Sequence, residues 1–399
     1  MASPNRLQIT RTVWLLSWIS LCTDLASEMI YPILPLYLES IGFSVAGIGL
    51  LEGIAQATAG LCKGWFGHWS DLRRQRTPFV RTGYLLSALA KPMMAIWASP
   101  VWVLLARTLD RLGKGIRTGA RDALLASEAS PQTRGRIFGL HRGMDTLGAA
   151  IGPGLALWFL WSHPAQYRSL FLLAFLPGLA AIALTWLLRE KQDRHSGPVS
   201  MPGFFHFLRY WKESNPAYRR LVAGLLAFAL VNSSDLFLLL LLKSRGLSDA
   251  ALIGWYIFYN LVYALAAFPL GGVADRWGLR PTFSGGLLLF AAVYAGFASA
   301  SETWHFGVLF LLYGIYAAAT EGVVKAWISN LSKAKDRGRA IGAYEGLRSV
   351  ATLLASAGAG LVWQQFGPKT LFFLTAGIVL TIAIYLSSIR LPGLVPDEK

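Results

Sequence analysis

Charge is scarce in this chain, and it leans one way. Only 15% of the 399 residues are charged, against 54% hydrophobic, and 21 acids face 37 lysines and arginines. Cysteine is scarcer still. Cys22 and Cys62 both fall inside apolar stretches, which gives no metal-ligand spacing and no expected disulfide. The six histidines are scattered, and no Ser/His/Asp, Cys/His or His/Asp/Glu set stands out. Gly113-Lys114-Gly115 lies in a helical stretch and follows no strand, so it is not a phosphate-binding loop. These absences argue against an enzyme, a resident metal or other cofactor, and direct use of ATP.

What is abundant is apolar sequence. Mean hydropathy is +0.47, more apolar surface than a soluble domain of this size needs. A chain in a bilayer does need it, at about 20 apolar residues per spanning helix. Twelve segments can be drawn. The first six run roughly 9–38, 45–69, 79–98, 101–127, 136–161 and 166–188. The second six run roughly 220–243, 250–274, 281–301, 304–330, 337–363 and 369–390. The expected organisation is a half over 1–188, a linker over 189–219 with a short interfacial helix at Phe204–Trp211, and a half over 220–399. The first segment contains Asp24 and Glu28 and leads straight into further spans, so it is not a cleaved signal peptide.

The +16 net charge invites a nucleic-acid partner, but its placement argues against one. Lysine and arginine gather in alternate loops and the termini, while the opposite loops hold only Arg168, Lys243, Arg245 and Lys369. That is the positive-inside pattern, and it puts both termini in the cytoplasm; the expected location is the plasma (bacterial inner) membrane. The expected partners are the bilayer, protons and a small-molecule substrate, with the chain acting as a monomer.

The chain also repeats itself. Gly67-His68-Trp69-Ser70-Asp71 with Arg76 returns about 204 residues later as Gly271-Gly272-Val273-Ala274-Asp275 with Arg280. Arg134-Gly135-Arg136 with Gly139 returns as Arg337-Gly338-Arg339 with Gly342, shifted by 203. Two motif pairs at one offset mark two homologous membrane halves, an architecture that usually moves solutes.

The Gly-x-x-x-Asp-Arg-x-Gly-x-Arg pattern at 271–280 resembles the signature loop of the major facilitator superfamily. The copy at 67–76 departs from it, with Leu72 after the Asp and Arg74 in place of a Gly. Arg107 stands where the family carries a helix-4 arginine. Gly139, Gly148 and Gly152-Pro153 resemble its antiporter signature, although Ala156-Leu157 replaces the terminal Gly-Gly. The resemblance implies twelve transmembrane helices, alternating access and, from helix 5, export. A Gly/Pro-rich helix 5 is also what plain packing produces.

Ionisable groups at membrane depth are costly and point to function. Helix 4 carries Arg107, Asp110, Arg111, Lys114, Arg117, Arg121 and Asp122. At 100° per residue its five cations fall within an arc of about 120°. Arg107, Asp110, Arg111, Lys114 and Arg117 are therefore the expected substrate-binding set. A lattice of structural salt bridges is the alternative. Asp24, Glu28, Asp235 and Glu321 are the expected proton-coupling carboxylates, since burial raises a carboxyl's affinity for protons. Asp24 and Asp235 lack a cation nearby in sequence. The expected gating set is Asp71, Arg76, Arg121, Asp122, Arg142, Asp145, Asp275, Arg280, Lys325, Glu345 and Arg348. Within it the repeat sets Arg142 opposite Glu345, Asp145 opposite Arg348 and Asp122 opposite Lys325, with signs exchanged. These pairs can close across the axis or stay within each helix.

The expected function is proton-coupled export of a small organic solute or drug, tilted toward an anion by helix 4. The rivals are a proton-symport importer of a carboxylate nutrient or iron chelate and, from other classes, a membrane-embedded enzyme or receptor.

Overall fold

The structure is a computed structural model describing residues 9–31, 33–34, 37–38, 41–42, 45–190 and 203–389, with the side chains at 45–50, 52–53, 57, 236 and 249–250 left aside. Pro32, Pro35 and the side chain of Glu52 lie outside the described residues.

The fold is an all-α membrane bundle of two pseudo-symmetric halves. The first half contains α1 (Arg11–Glu28), α2 (Val45–Leu72), α3 (Thr77–Ile96), α4 (Pro100–Ser127), α5 (Arg134–Ser162) and α6 (Tyr167–Trp186). In the second half, α7 runs in two pieces, Pro216–Ala229 and Leu236–Ser244. It is followed by α8 (Asp249–Trp277), α9 (Leu279–Ser299) and α10 (Thr303–Asn330). The helical run Arg337–Ser388 breaks at Gly367 (φ 80°), giving α11 over 337–366 and α12 over 368–388.

Local chemistry places several boundaries. Thr10, Asn215 and Ser248 cap α1, α7 and α8 with side-chain oxygens that accept amide hydrogens from the first turn. The segment expected as one span at 220–243 is broken between its two α7 pieces. Asn232-Ser233-Ser234-Asp235 is a run of short polar side chains, which compete with the helix for its own backbone groups. The two signature loops differ as their sequences do. Gly278 takes φ 102°, and Arg74, at the matching position, is held at φ 51°, a region costly for a residue with a Cβ.

Large apolar side chains cover the outside, with Trp158, Trp161, Trp186, Trp277 and Trp304 exposed near helix ends as an aromatic belt. The halves meet through α5 against α8 and α2 against α11. Glycine makes this approach possible. A Cβ on Gly135 would lie 2.6 Å from the Gly271 carbonyl oxygen, and one on Gly338 would lie 2.8 Å from that of Gly67. The repeated motifs of the sequence are therefore the surfaces that touch. The cross-half hydrogen bonds and ion pairs cluster toward the bundle end that carries the linker, so the halves are closed there.

The linker forms a 3₁₀ turn, His206–Arg209, followed by a helical turn, Tyr210–Glu213, near the expected interfacial helix. Phe207 is buried against Gly64 of α2 and Gly346 of α11, which wedges the linker onto the seam between the halves.

Candidate transport site and gate

The cationic stripe of α4 turns into the protein. Asp110 is its hub. Its carboxylate takes Lys91 Nζ at 2.7 Å, Arg107 Nη1 at 3.5 Å and Arg111 Nε at 3.6 Å. Lys91 also donates to Ser27 Oγ on α1 at 3.1 Å. Arg107 and Lys91 are almost wholly buried, so their charges depend on this carboxylate. Arg117 points toward α3, where it donates to Ser87 Oγ at 2.5 Å and lies 4.5 Å above the Tyr84 ring. It belongs to the interior of the first half more than to the centre of the bundle. Lys114 faces Asp24, with Arg111, Lys63 and Arg117 around it. Asp24, which lacks a cation nearby in sequence, thus gains one by folding. Asp24 also lies beside Glu28 and Asp145. Glu28 faces Lys114, Arg111 and Arg107, and its Oε2 has no hydrogen-bond partner among the described residues.

Below this group lies a second network. Arg121 pairs with Asp122 at 2.9 Å, and Asp122 pairs with Lys325 of the second half at 2.7 Å. Asp122 and Lys325 are the residues that the repeat sets opposite each other, and they meet across the axis. The other two aligned pairs do not. Arg142 holds Asp145 within α5 at 2.6 Å and donates to Tyr263 Oη of α8 at 2.6 Å. Arg348 takes Glu321 at 2.6 Å and its helix neighbour Glu345 at 3.7 Å. Glu345 instead crosses the axis to Lys63 of α2, at 3.1 Å.

In the second half, Asp235 stands at the break in α7 and accepts both Tyr259 Oη and Tyr313 Oη at 2.6 Å. Glu321 shares its carboxylate with both amino groups of Arg348.

The signature loops form the gate's outer layer. Asp71 accepts the backbone amide of Arg339 at 2.7 Å and Arg76 Nη2 at 3.2 Å, while the same Nη2 donates to Ala334 O at 3.0 Å. Asp275 accepts the amides of Gly135 and Arg136 at 2.7 and 2.9 Å. Each aspartate thus caps the first turn of a helix in the opposite half, where amide donors are unsatisfied and the helix dipole favours negative charge. Arg280 does not repeat the role of Arg76: among the described residues Asp275 has Arg136 Nε at 3.9 Å and no ion pair to Arg280.

Several partners escaped the sequence. Lys91 and Lys63 are single basic residues in apolar runs, and Tyr259 and Tyr313 look like ordinary aromatic packing. Only their tertiary neighbours single them out. Ser20, a hydroxyl between Asp145 and Arg121, carried no sequence signal.

Two six-helix halves, sealed at one end by mirrored loops and lined inside by ion pairs, are the architecture of a secondary transporter. The sequence profile of the Major Facilitator Superfamily matches residues 16–259 and 246–399. The chain belongs to that superfamily. An uncharacterized MFS-type transporter, MJ1317 of Methanocaldococcus jannaschii, is 31% identical over 385 residues, covering 95% of this chain and 94% of the relative. Multidrug resistance protein MdtH of Cronobacter sakazakii is 25% identical over 319 residues, covering 79% of this chain and 77% of the relative. The crystal structure of the human organic anion transporter MFSD10 (TETRAN) superposes with a TM-score of 0.79 at 20% identity, covering 94% of this chain and 99% of that one.

Proposed function

We propose that this secondary transporter exports a small organic solute bearing an acidic group, in exchange for protons. The observation that carries the reading is the Asp110 hub. Lys91, Arg107, Arg111 and Lys114 converge on a region whose acids are Asp24, Glu28 and Asp110, with the neighbouring Asp145 held by Arg142. Cations outnumber carboxylates there, so an anionic ligand completes the balance. An arginine's planar fork suits a carboxylate or phosphonate. Asp24, Glu28, Asp235 and Glu321 serve as the proton-handling set. The kinship with a protein named for multidrug resistance and the glycine pattern of α5 favour export. That pattern also has a packing role, since Gly148 and Gly152 sit against the α1 backbone.

The protein acts as a monomer in the inner membrane, with its termini and linker in the cytoplasm. Labelling single cysteines at Ser3, Ser196 and Glu302 with an impermeant external reagent tests this. Shielding of position 302 alone means the orientation is inverted.

The decisive experiment is a thermal-shift screen of the purified protein against acidic, neutral and cationic compounds, followed by transport of the hits in proteoliposomes under an imposed pH gradient. Acidic compounds should stabilise the protein and move against the proton gradient. Glu28 Oε2, which has no hydrogen-bond partner among the described residues, and nearby Tyr256 favour a second reading, a lipophilic cation. Response to such cations alone overturns the anion assignment, and cotransport with protons overturns export.

A further inference from the structure

Ser20 joins three helices of the first half at one buried hydroxyl. It donates to Asp145 Oδ1 on α5 in a short hydrogen bond and accepts from Arg121 Nη1 on α4 at 3.3 Å. Arg121 Nε continues to Asp122 Oδ1 at 2.9 Å, and Asp122 Oδ2 meets Lys325 Nζ of the second half at 2.7 Å. An unbroken chain of polar contacts therefore runs from Asp145 through Ser20, Arg121 and Asp122 to Lys325. At one end, Asp24 stands one turn beyond Ser20 on α1 and lies against Asp145. At the other end is a cross-half ion pair that closes the linker end of the bundle.

We infer that Ser20 is a positioning residue that couples proton binding at the Asp24–Asp145 carboxyl pair to the Asp122–Lys325 gate. The inference rests on the proton-coupled reading of the transporter.

The logic is one of competition for acceptors. An ionised carboxylate is a far stronger acceptor than a carboxylic acid. While Asp145 is ionised, it fixes the Ser20 hydroxyl and draws Arg121 partly away from Asp122. When the carboxyl pair takes up a proton, that hold weakens. Arg121 then leans on Asp122 and competes with Lys325 for it, and the halves are freer to part at the linker end. Several other groups face this cluster. Arg142 and His141 do so from α5, Lys114 on the Asp24 side from α4 and Tyr84 beside Arg121 from α3, and Glu28 lies beside Asp24 on α1 itself. From the second half come Lys325 beside His141 and Asp122, and Tyr263 and Glu321 around Arg142. His141 Nε2 is buried with no hydrogen-bond partner among the described residues, in the pocket shared by Arg121, Asp122 and Asp145. Arg142 stays on Asp145 through its own helix. Ser20 is the link in this chain contributed by α1.

The test compares wild type, Ser20→Ala, Ser20→Val and Ser20→Thr in proteoliposomes. Spin labels on the exposed residues Arg73 and Arg276, one per half, report the linker-end gap in a Cys22→Ser, Cys62→Ser background. In wild type the distance distribution should lengthen as pH falls from about 8 to about 5.5. Ser20→Ala and Ser20→Val should lose that response. Their gradient-driven transport should drop by about tenfold, with exchange near the wild-type rate, since only the coupling between sites is removed. Ser20→Thr, which keeps the hydroxyl, should behave as wild type. A wild-type response that persists unchanged in both Ser20→Ala and Ser20→Val overturns the relay and leaves proton coupling standing. Absence of any pH response in wild type overturns proton coupling and the relay together.

Discussion

Asp71 of the first half accepts the backbone amide of Arg339 of the second at 2.7 Å, across the seam where α2 meets α11. Its repeat mate, Asp275, accepts the amide of Arg136 at 2.9 Å. Two motifs that recur separately along the chain thus form one lock, used twice. Each aspartate lies next to a glycine pair, Gly67 with Gly338 and Gly271 with Gly135, that lets the backbones approach closely enough for the amide to reach.

Replacing Asp71 with Asn should loosen the closed linker end without touching the substrate region. A hydrogen bond to a charged group contributes roughly 1.5–3 kcal/mol, and the neutral amide keeps only part of it. Turnover in proteoliposomes should fall by about tenfold while equilibrium binding stays within about threefold. A large loss of affinity in a folded protein would show that Asp71 serves the binding site.

Gly338→Ala should act on the same lock by steric means. The new Cβ would stand 2.8 Å from Gly67 O, a backbone atom, and 2.9 Å from Asp71 Oδ1, which the lock itself holds in place. Overpacking of this kind costs about 1–3 kcal/mol, seen as a lower unfolding temperature and greater accessibility at the linker end. Gly358→Ala is the control, because a Cβ there meets nothing within 4 Å. Equal behaviour of the two variants would show that the close approach at Gly338 contributes nothing.

Asp24→Asn should abolish gradient-driven transport yet preserve substrate exchange, because the neutral side chain mimics a permanently protonated carboxyl beside Lys114 and Asp145. Asp235→Asn should have a weaker effect, since two tyrosine hydroxyls already hold that carboxylate. Unchanged pH dependence of transport in Asp24→Asn would remove Asp24 from the proton pathway.

Arg111→Lys keeps the charge and loses the planar fork. Binding of acidic compounds should weaken by about tenfold, the scale of one lost charge-assisted hydrogen bond. Thermal shifts measured over a concentration series would read the change. A variant that binds acidic compounds as tightly as wild type would remove Arg111 from the site.

The linker contact gives a pH prediction outside the membrane. Arg339 Nη1 donates to Glu213 at 2.5 Å, and this hydrogen bond lowers the carboxyl's pKa below its ordinary value of 4.5. A lowered folded-state pKa means that the contact stabilises the docked linker above the ordinary value. That stabilisation fades as pH falls through the folded-state pKa. The docked linker should therefore resist proteolysis equally at neutral and mildly acidic pH, then loosen in stronger acid. Glu213→Gln should loosen it at neutral pH and remove the pH dependence. Protection of the variant equal to wild type at neutral pH would show that the Glu213 contact contributes nothing to docking.

Fold class and repeat were legible in the residue order, because hydropathy and motif spacing follow from the chain alone. The 3.6-residue period put Arg107, Asp110 and Arg111 on one face of α4, and the 203-residue offset set Asp122 opposite Lys325. Partner choice was not legible. Lys91 reaches Asp110 from α3, Lys63 reaches Glu345 across the axis, and two tyrosines reach Asp235. Each contact joins residues on different helices. Their proximity depends on how helices cross and how far glycines let them approach, quantities set by packing and carried by no local pattern. The same limit explains why Arg142 and Asp145 pair within α5 while Glu345 crosses to Lys63. Repeat symmetry allowed both arrangements, and only the tertiary structure chose between them.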